Sequence, residues 1–298
     1  MKLMLGTAQF GLDYGISNTS GQTQYNEICR ILSMAYNGGI DWIDTAHTYG
    51  KSESILGRTA HWFNVVTKTS DFDFDGPRTL SEGLRESLRR LNRKCVYGLL
   101  LHREIDLLGA YGDEIFEQLA LLKRISWIKK IGVSVYSPEH TMEIIDRYPI
   151  DIIQFPCSIL DQRFVQDGIV QKMADKGIEA HARSIFLQGL VFMDPDTIDE
   201  YFAPIKPGLQ KLHDTADRMN VSVLKIALEY MRSLDNIDRI IVGVNDAEQL
   251  NDIFQAYEYG IEVLTPREPF ECDVDFKEFA IADEQFVNPA KWRLNHVK

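Results

Sequence analysis

Short apolar runs alternate with longer amphipathic stretches along almost the whole chain. The runs are Lys2–Gly6 (KLMLG), Trp42–Asp44 (WID), Asn64–Lys68 (NVVTK), Val96–His102 (VYGLLLH), Lys130–Ser134 (KIGVS), Asp151–Phe155 (DIIQF), Gly177–Arg183 (GIEAHAR) and Arg239–Gly243 (RIIVG). Short, branched and bounded by turn formers, they suit strands buried on both faces of a parallel sheet. Between them, apolar residues recur at helical spacing. Tyr25, Ile28, Cys29, Leu32, Ala35 and Tyr36 mark one face, with Gly38–Gly39 as its stop, and Leu250, Ile253, Phe254 and Tyr257 repeat the pattern. The same spacing predicts helices around 50–61, 78–92, 113–126, 138–148, 165–175, 206–219, 221–233 and 247–259.

Eight strands with intervening helices is the count that a (β/α)8 TIM barrel requires. A doubly wound open sheet is the competitor, and it usually carries GxGxxG after its first strand. Here the first strand runs into GTAQFGLDYG, whose glycines do not match that spacing. The expected fold is therefore one barrel domain over 1–260, with a tail over 261–298 packed on or over it.

Composition narrows the function classes. The 298 residues are 45% hydrophobic and 26% charged, an ordinary globular balance. With 44 acidic and 32 basic side chains the formal charge is −12, which repels nucleic acid and anionic membranes as general partners. The N-terminus is too short in apolar residues for a signal segment, and no stretch of 18 uninterrupted apolar residues follows. Cys29, Cys95, Cys157 and Cys272 are scattered without zinc or redox spacing, as in a reducing cytoplasm. A cytoplasmic protein without a metal is expected, since no His/Asp/Glu cluster has ligand spacing either.

In a barrel, chemistry gathers at the C-terminal ends of the strands. Polar residues end nearly every apolar run here. Helix caps explain some of them, Ser134 included. Lys68 is different, because a lysine closing VVTK in a packed barrel needs a carboxylate. Asp44, Tyr49, Lys68 and His102 arise from three successive strands and together make a proton-donor site. A lysine beside a phenol is expected to lower the phenol's pKa, and Asp44 to keep that lysine charged. Such a tyrosine donates a proton to a carbonyl oxygen as hydride reaches the carbon, while His102 orients the carbonyl. His47, between Asp44 and Tyr49, either faces the substrate or is a turn residue. His181 alternates along its strand and reads as packed.

At these residues the sequence resembles the aldo-keto reductases. IDTAHTYGKSESILG (43–57), VVTK (65–68), LLLH (99–102) and IGVS (131–134) match that family's ordered catalytic segments, and QFPCSILDQR (154–163), ARSIFLQGL (182–190) and VGVNDAEQL (242–250) match its cofactor side. The resemblance implies an NAD(P)H-dependent enzyme reducing a small aldehyde or ketone, with Asp44, Tyr49, Lys68 and His102 catalytic. It implies that Ser134 and Gln154 hold the nicotinamide carboxamide, and that Ser184, Leu187, Gln188 and Gly189 approach the pyrophosphate. Gly243, Asn245, Gln249 and Asp252 would surround the adenosine, a segment that equally reads as strand, turn and helix start.

Three positions depart from the family pattern. Val135 stands where relatives carry Asn, and Arg183 where an aromatic residue stacks on the nicotinamide. No cation lies between Val242 and Ile253 to meet the 2′-phosphate of NADPH. NADPH is the family expectation, with NADH or dual use as the alternative. A rival reading is a sensor or interaction subunit that binds the nucleotide on the same barrel. The complete set of Asp44, Tyr49, Lys68 and His102 favours the enzyme, because a binder needs no tuned phenol. A barrel hydrolase or lyase would want paired carboxylates or metal ligands at strand ends, which are absent.

Overall fold

The computed structural model of the protein describes residues 2–70, 78–257 and 274–293. Eight parallel strands close into a barrel in sequence order: β1 (Lys2–Gly6), β2 (Trp42–Asp44), β3 (Asn64–Lys68), β4 (Val96–Leu101), β5 (Ile128–Ser134), β6 (Ile152–Pro156), β7 (Glu179–Arg183) and β8 (Arg239–Gly243). β8 pairs back onto β1 from Lys2↔Arg239 to Gly6↔Gly243, which leaves no free edge. The main helices are α1 (Tyr25–Asn37), α2 (Ser52–Thr59), α3 (Arg78–Arg90), α4 (Gly112–Arg124), α5 (Pro138–Arg147), α6 (Ile169–Asp175), α7 (Lys206–Met219), α8 (Val223–Ser233) and α9 (Ala247–Tyr257).

Local chemistry sets where these helices start and stop. Ser137 caps α5 by accepting the His140 N–H at 3.2 Å, and Pro138 follows at the first turn. Ser222 caps α8 through the Lys225 N–H at 3.1 Å. The helix expected over 165–175 is broken into Arg163–Gln166 and α6 by Gly168, whose φ is +69°. A left-handed residue cannot continue a right-handed helix, so the apolar spacing there spans two pieces.

The barrel interior follows the two-residue period of strands. Met4, Trp42, Val66, Leu100, Ile152 and Ile241 point inward and form one buried apolar layer. Two residues further along each strand come Gly6, Asp44, Lys68, His102, Gln154 and Gly243, all of which line the cavity at the barrel mouth. The apolar layer is thus the floor of the site, and the pleat places the polar layer directly above it.

At the opposite end the barrel is plugged by charge and aromatic rings. The Arg239 guanidinium lies 3.5 Å from the Trp42 ring centroid, and Tyr97 packs edge-on against Trp42 at 4.4 Å. Glu179 accepts the Tyr97 hydroxyl at 2.5 Å and lies 3.3 Å from His181 and 3.5 Å from Lys130. His181 is fully buried, as its alternation along the strand predicts.

The described part of the tail packs on the barrel's flank. The Ile281 N–H bonds the Leu160 carbonyl at 2.9 Å, Gln162 donates to the Phe276 carbonyl at 2.7 Å, and Trp292 meets Phe202 edge-on. Among the described residues, none of the tail lines the cavity. Residues 71–77, 258–273 and 294–298, with Cys272 and much of the expected tail, lie outside the described residues. No described helix is long and apolar enough to cross a membrane.

Burial pushes the Glu179 carboxyl up, but hydrogen bonds from His181 and Tyr97 and the charges of His181 and Lys130 outweigh it and bring the pKa to about 2. A carboxylate depressed from its ordinary value of 4.5 stabilises the fold above that value, and the contribution fades as pH falls towards 2. Glu179→Gln should therefore lower the melting temperature at neutral pH. The gap from wild type should narrow as thermal scans move down from pH 4.5. A constant gap would exclude Glu179 as its source.

Candidate active site

The mouth of the barrel opens into a cavity of about 470 Å³. Its catalytic end is built on one buried ion pair. Lys68 Nζ lies 2.7 Å from both carboxylate oxygens of Asp44 and 3.2 Å from the Thr45 carbonyl oxygen. Lys68 is 1% exposed and Asp44 4%, so neither charge has water to fall back on. Burial lowers the Lys68 pKa, and the charge and hydrogen bond of Asp44 act against that shift. Gln154 donates its amide N–H to Asp44 Oδ1 at 2.7 Å, which ties β6 to the pair.

Tyr49 stands over this pair with its ring centroid 5.2 Å from Lys68 Nζ. Its ring meets the His102 ring edge-on, 6.2 Å between centroids. His102 Nδ1 lies 3.3 Å from Thr48 Oγ1. Asp44, Tyr49, Lys68 and His102 all line the same void. The direction of the phenol shift differs from the sequence expectation. Burial raises the Tyr49 pKa, Asp44 adds to the rise, and the charge of Arg183 opposes it. Lys68 Nζ sits 2.7 Å from Asp44, whose own charge adds to the rise at Tyr49. The phenol is held in its protonated form.

Tyr49 sits on a loop, and two glycines fix that loop. A Cβ on Gly11 would come 1.8 Å from the Tyr49 carbonyl oxygen. Gly50 has φ +51°, and a Cβ there would lie 2.4 Å from the Gly11 carbonyl oxygen. The two backbones interlock with no room for a side chain, so the segment after β1 sets the position of Tyr49.

Of the other expected site residues, Ser134, Gln154, Arg183, Ser184, Gln188, Gly189, Gly243, Asn245, Gln249 and Asp252 line the cavity. Two do not. Leu187 is fully buried in the main core. His47 turns outward: Nδ1 lies 3.1 Å from Ser87 Oγ and Nε2 3.9 Å from Glu86, both on α3. The segment Ser184–Gly189 carries Ser184, Leu187, Gln188 and Gly189 at positive φ, with Ser17 packed over Gly189. Two buried acceptors facing the site lack a donor among the described residues, Gln154 Oε1 at the catalytic end and Asn245 Oδ1 at the far end.

Tyr14 and Tyr136 also line the cavity, and neither was expected from the sequence. Tyr136 lies two residues beyond Ser134, so continuing the strand period past the end of β5 finds it. Tyr14 lies in the loop after β1, where no periodicity points to it.

A closed barrel with a buried Lys–Asp pair beneath a protonated tyrosine defines an oxidoreductase scaffold for carbonyl chemistry. Residues 2–265 match the Aldo/keto reductase family, and the chain belongs to that family. It is similar over 289 residues to the uncharacterized oxidoreductase YqkF of Bacillus subtilis, at 25% identity, covering 86% of this chain and 90% of that one. It is 23% identical over 292 residues to L-glyceraldehyde 3-phosphate reductase of Escherichia coli, covering 82% and 83%. An aldo-keto reductase of Bacillus halodurans, solved in its holo form, shares the fold with a TM-score of 0.71 at 21% identity, over 99% and 94% of the chains. The protein is an enzyme, an aldo-keto reductase.

The interlock of Gly11 with Tyr49 is open to a direct test. Gly11→Ala must move backbone, which typically costs about 1–3 kcal/mol. Gly208→Ala on α7 meets nothing within 4 Å and should leave stability unchanged or slightly raised. Denaturant unfolding of both variants checks this, and equal effects would show that the contact near Tyr49 is soft.

Proposed function

We propose that the enzyme reduces an aldehyde or ketone with a nicotinamide dinucleotide, and that Tyr49 is the proton donor. The observation that carries this is the neutral Tyr49 phenol opening onto the cavity above the Lys68–Asp44 pair. The residues present fit the cofactor. Gln154 spends its N–H on Asp44 and keeps Oε1 buried and unmatched, the acceptor that a carboxamide N–H satisfies. The Ser134 hydroxyl, paired with Gln154 in register across β5 and β6, is placed to serve the carboxamide oxygen. Ser184, Gln188 and Gly189 would flank the pyrophosphate, and Gly243, Asn245, Gln249 and Asp252 the adenosine.

When bound, the reduced nicotinamide supplies hydride to the carbonyl carbon. The chain's own residues handle the oxygen. Tyr49 gives its hydroxyl proton as negative charge develops there, and His102 Nε2–H shares that oxygen. The phenolate left behind is stabilised by Lys68, whose charge Asp44 maintains. The apolar layer beneath the pair keeps water from below the site.

Tyr49→Phe keeps the ring and removes the proton. Cofactor affinity should stay nearly constant while single-turnover cofactor oxidation slows by about 10²–10⁴-fold. A variant retaining more than about a tenth of the wild-type rate would exclude Tyr49 as the acid.

The family resemblance favours NADPH, but among the described residues the far end of the cavity carries no cation for a 2′-phosphate. Asn245, Gln249 and Asp252 line it, and the unmatched Asn245 Oδ1 suits a ribose hydroxyl or an adenine amino group. We therefore infer use of NADH comparable to that of NADPH. Fluorescence titration should give dissociation constants within roughly tenfold of each other. An NADPH preference beyond about a hundredfold exceeds one charge-assisted contact and would require a phosphate-binding cation.

A further inference from the structure

Arg183 is a cation that the proposed reduction does not use. It ends β7 and lines the cavity with Tyr49, Lys68 and His102. Nη2 donates to the Val135 carbonyl at 2.9 Å and Nη1 to Ser184 Oγ at 3.2 Å. Among the described residues it pairs with no carboxylate. Only two of a guanidinium's five N–H donors are thereby engaged. Its charge bears on the Tyr49 hydroxyl and on Lys68, so it acts at the reacting end of the cavity.

The group is held in one orientation. Its Cζ lies 4.1 Å from the Tyr136 ring centroid. Tyr136 is itself fixed at both backbone groups: its N–H bonds Glu104 Oε2, and its carbonyl accepts from Arg163 Nη1 at 3.4 Å. Glu104 is braced by His140 at 2.7 Å, and Arg163 by paired 2.8 Å bonds to Asp161. A surface arginine needs none of this support. The brace aims a rigid fork into the site before any ligand arrives.

Charge completes the argument. The whole chain carries −12, yet at this end of the cavity Asp44 is paired with Lys68, while Arg183 has no carboxylate at ion-pair distance among the described residues and feels Asp161, itself bound to Arg163, only from further off. An uncompensated guanidinium opposes any step that leaves more positive charge beside it. A substrate that brings its own oxyanion removes the opposition and fits the planar donor pair. We propose that Arg183 is a specificity-determining residue that selects small carbonyl compounds bearing a carboxylate or phosphate. This rests on the reading that a carbonyl is reduced beside Tyr49.

The test uses two matched pairs on wild type, Arg183→Met and Arg183→Lys: succinic semialdehyde against its methyl ester, and glycolaldehyde phosphate against glycolaldehyde. Wild type should favour the anionic member of at least one pair in kcat/KM, and that pair tells carboxylate from phosphate. Arg183→Met should lose roughly tenfold to a hundredfold more in kcat/KM on the anion than on its neutral partner, so that the anion preference collapses. Arg183→Lys should restore part of the loss. Calorimetry on the cofactor-loaded protein should detect 4-hydroxybutyrate or 2-hydroxyethyl phosphate with wild type and not with Arg183→Met, at unchanged cofactor affinity. Anion binding through Arg183 without turnover of any of the four carbonyls would uphold the anion site and refute the reductase reading. Turnover without anion preference in either pair, a preference that survives in Arg183→Met, or a tenfold loss of cofactor affinity in that variant would overturn the assignment.

Discussion

The burial of Lys68 against Asp44 is the constraint on which the mouth of the barrel depends. Neither charge can be left alone at that depth, so each strand that supplies one is bound to the strand that supplies the other. Gln154 extends the tie from β2 and β3 across to β6 through its bond to Asp44 Oδ1. Three strands are thereby held in a common geometry by side chains as well as by the ladder. Tyr49, on a loop, borrows its placement from this rigid base and from the interlocked glycines beside it. Burial above all, with the Asp44 charge adding to it, keeps the Tyr49 phenol protonated.

Much of this was legible in the sequence because the strands are short and apolar. The bounds of β1, β2, β3 and β8 follow from their runs alone, since turn residues flank them on both sides. Lys68 was conspicuous for a physical reason, a charge at the end of a buried run, and Asp44 is the carboxylate that such a charge demands. What stayed hidden was three-dimensional. His47 has the same loop neighbours as Tyr49, and only the packing of α3 shows that it points at Ser87 and Glu86. Leu187 lies in the same segment as Gln188 and Gly189, yet the left-handed backbone there turns it into the core. The direction of the Tyr49 shift was misjudged because proximity to a lysine says nothing about how deeply the phenol is buried.

The two ends of the cavity use different chemistry. At the Lys68 end, charges are paired or braced, and among the described residues Gln154 Oε1 is left unmatched. At the far end Gln249 Oε1 accepts the Asn245 N–H at 2.9 Å and Asp246 caps the Gln249 N–H at 2.8 Å, while Asn245 Oδ1 stays unmatched. Side chains engaged in holding their own turn have little left for a phosphate. In the proposed reading, discrimination would therefore lie closer to the reacting carbonyl than to the nucleotide's remote end.

The two-residue offset between the apolar floor and the polar layer determines how the protein can tolerate changes in length. Thr67, one position before Lys68, points away from the barrel axis and donates to Glu53 at 2.7 Å. Deleting a single residue within β3 would exchange the faces of these two side chains, bringing a hydroxyl to the mouth and a lysine against Glu53. The loops that follow the strands can lengthen or shorten without touching that alternation. Divergence in this barrel is thus channelled into its connections, while the strands admit replacement of side chains but not a change in their count.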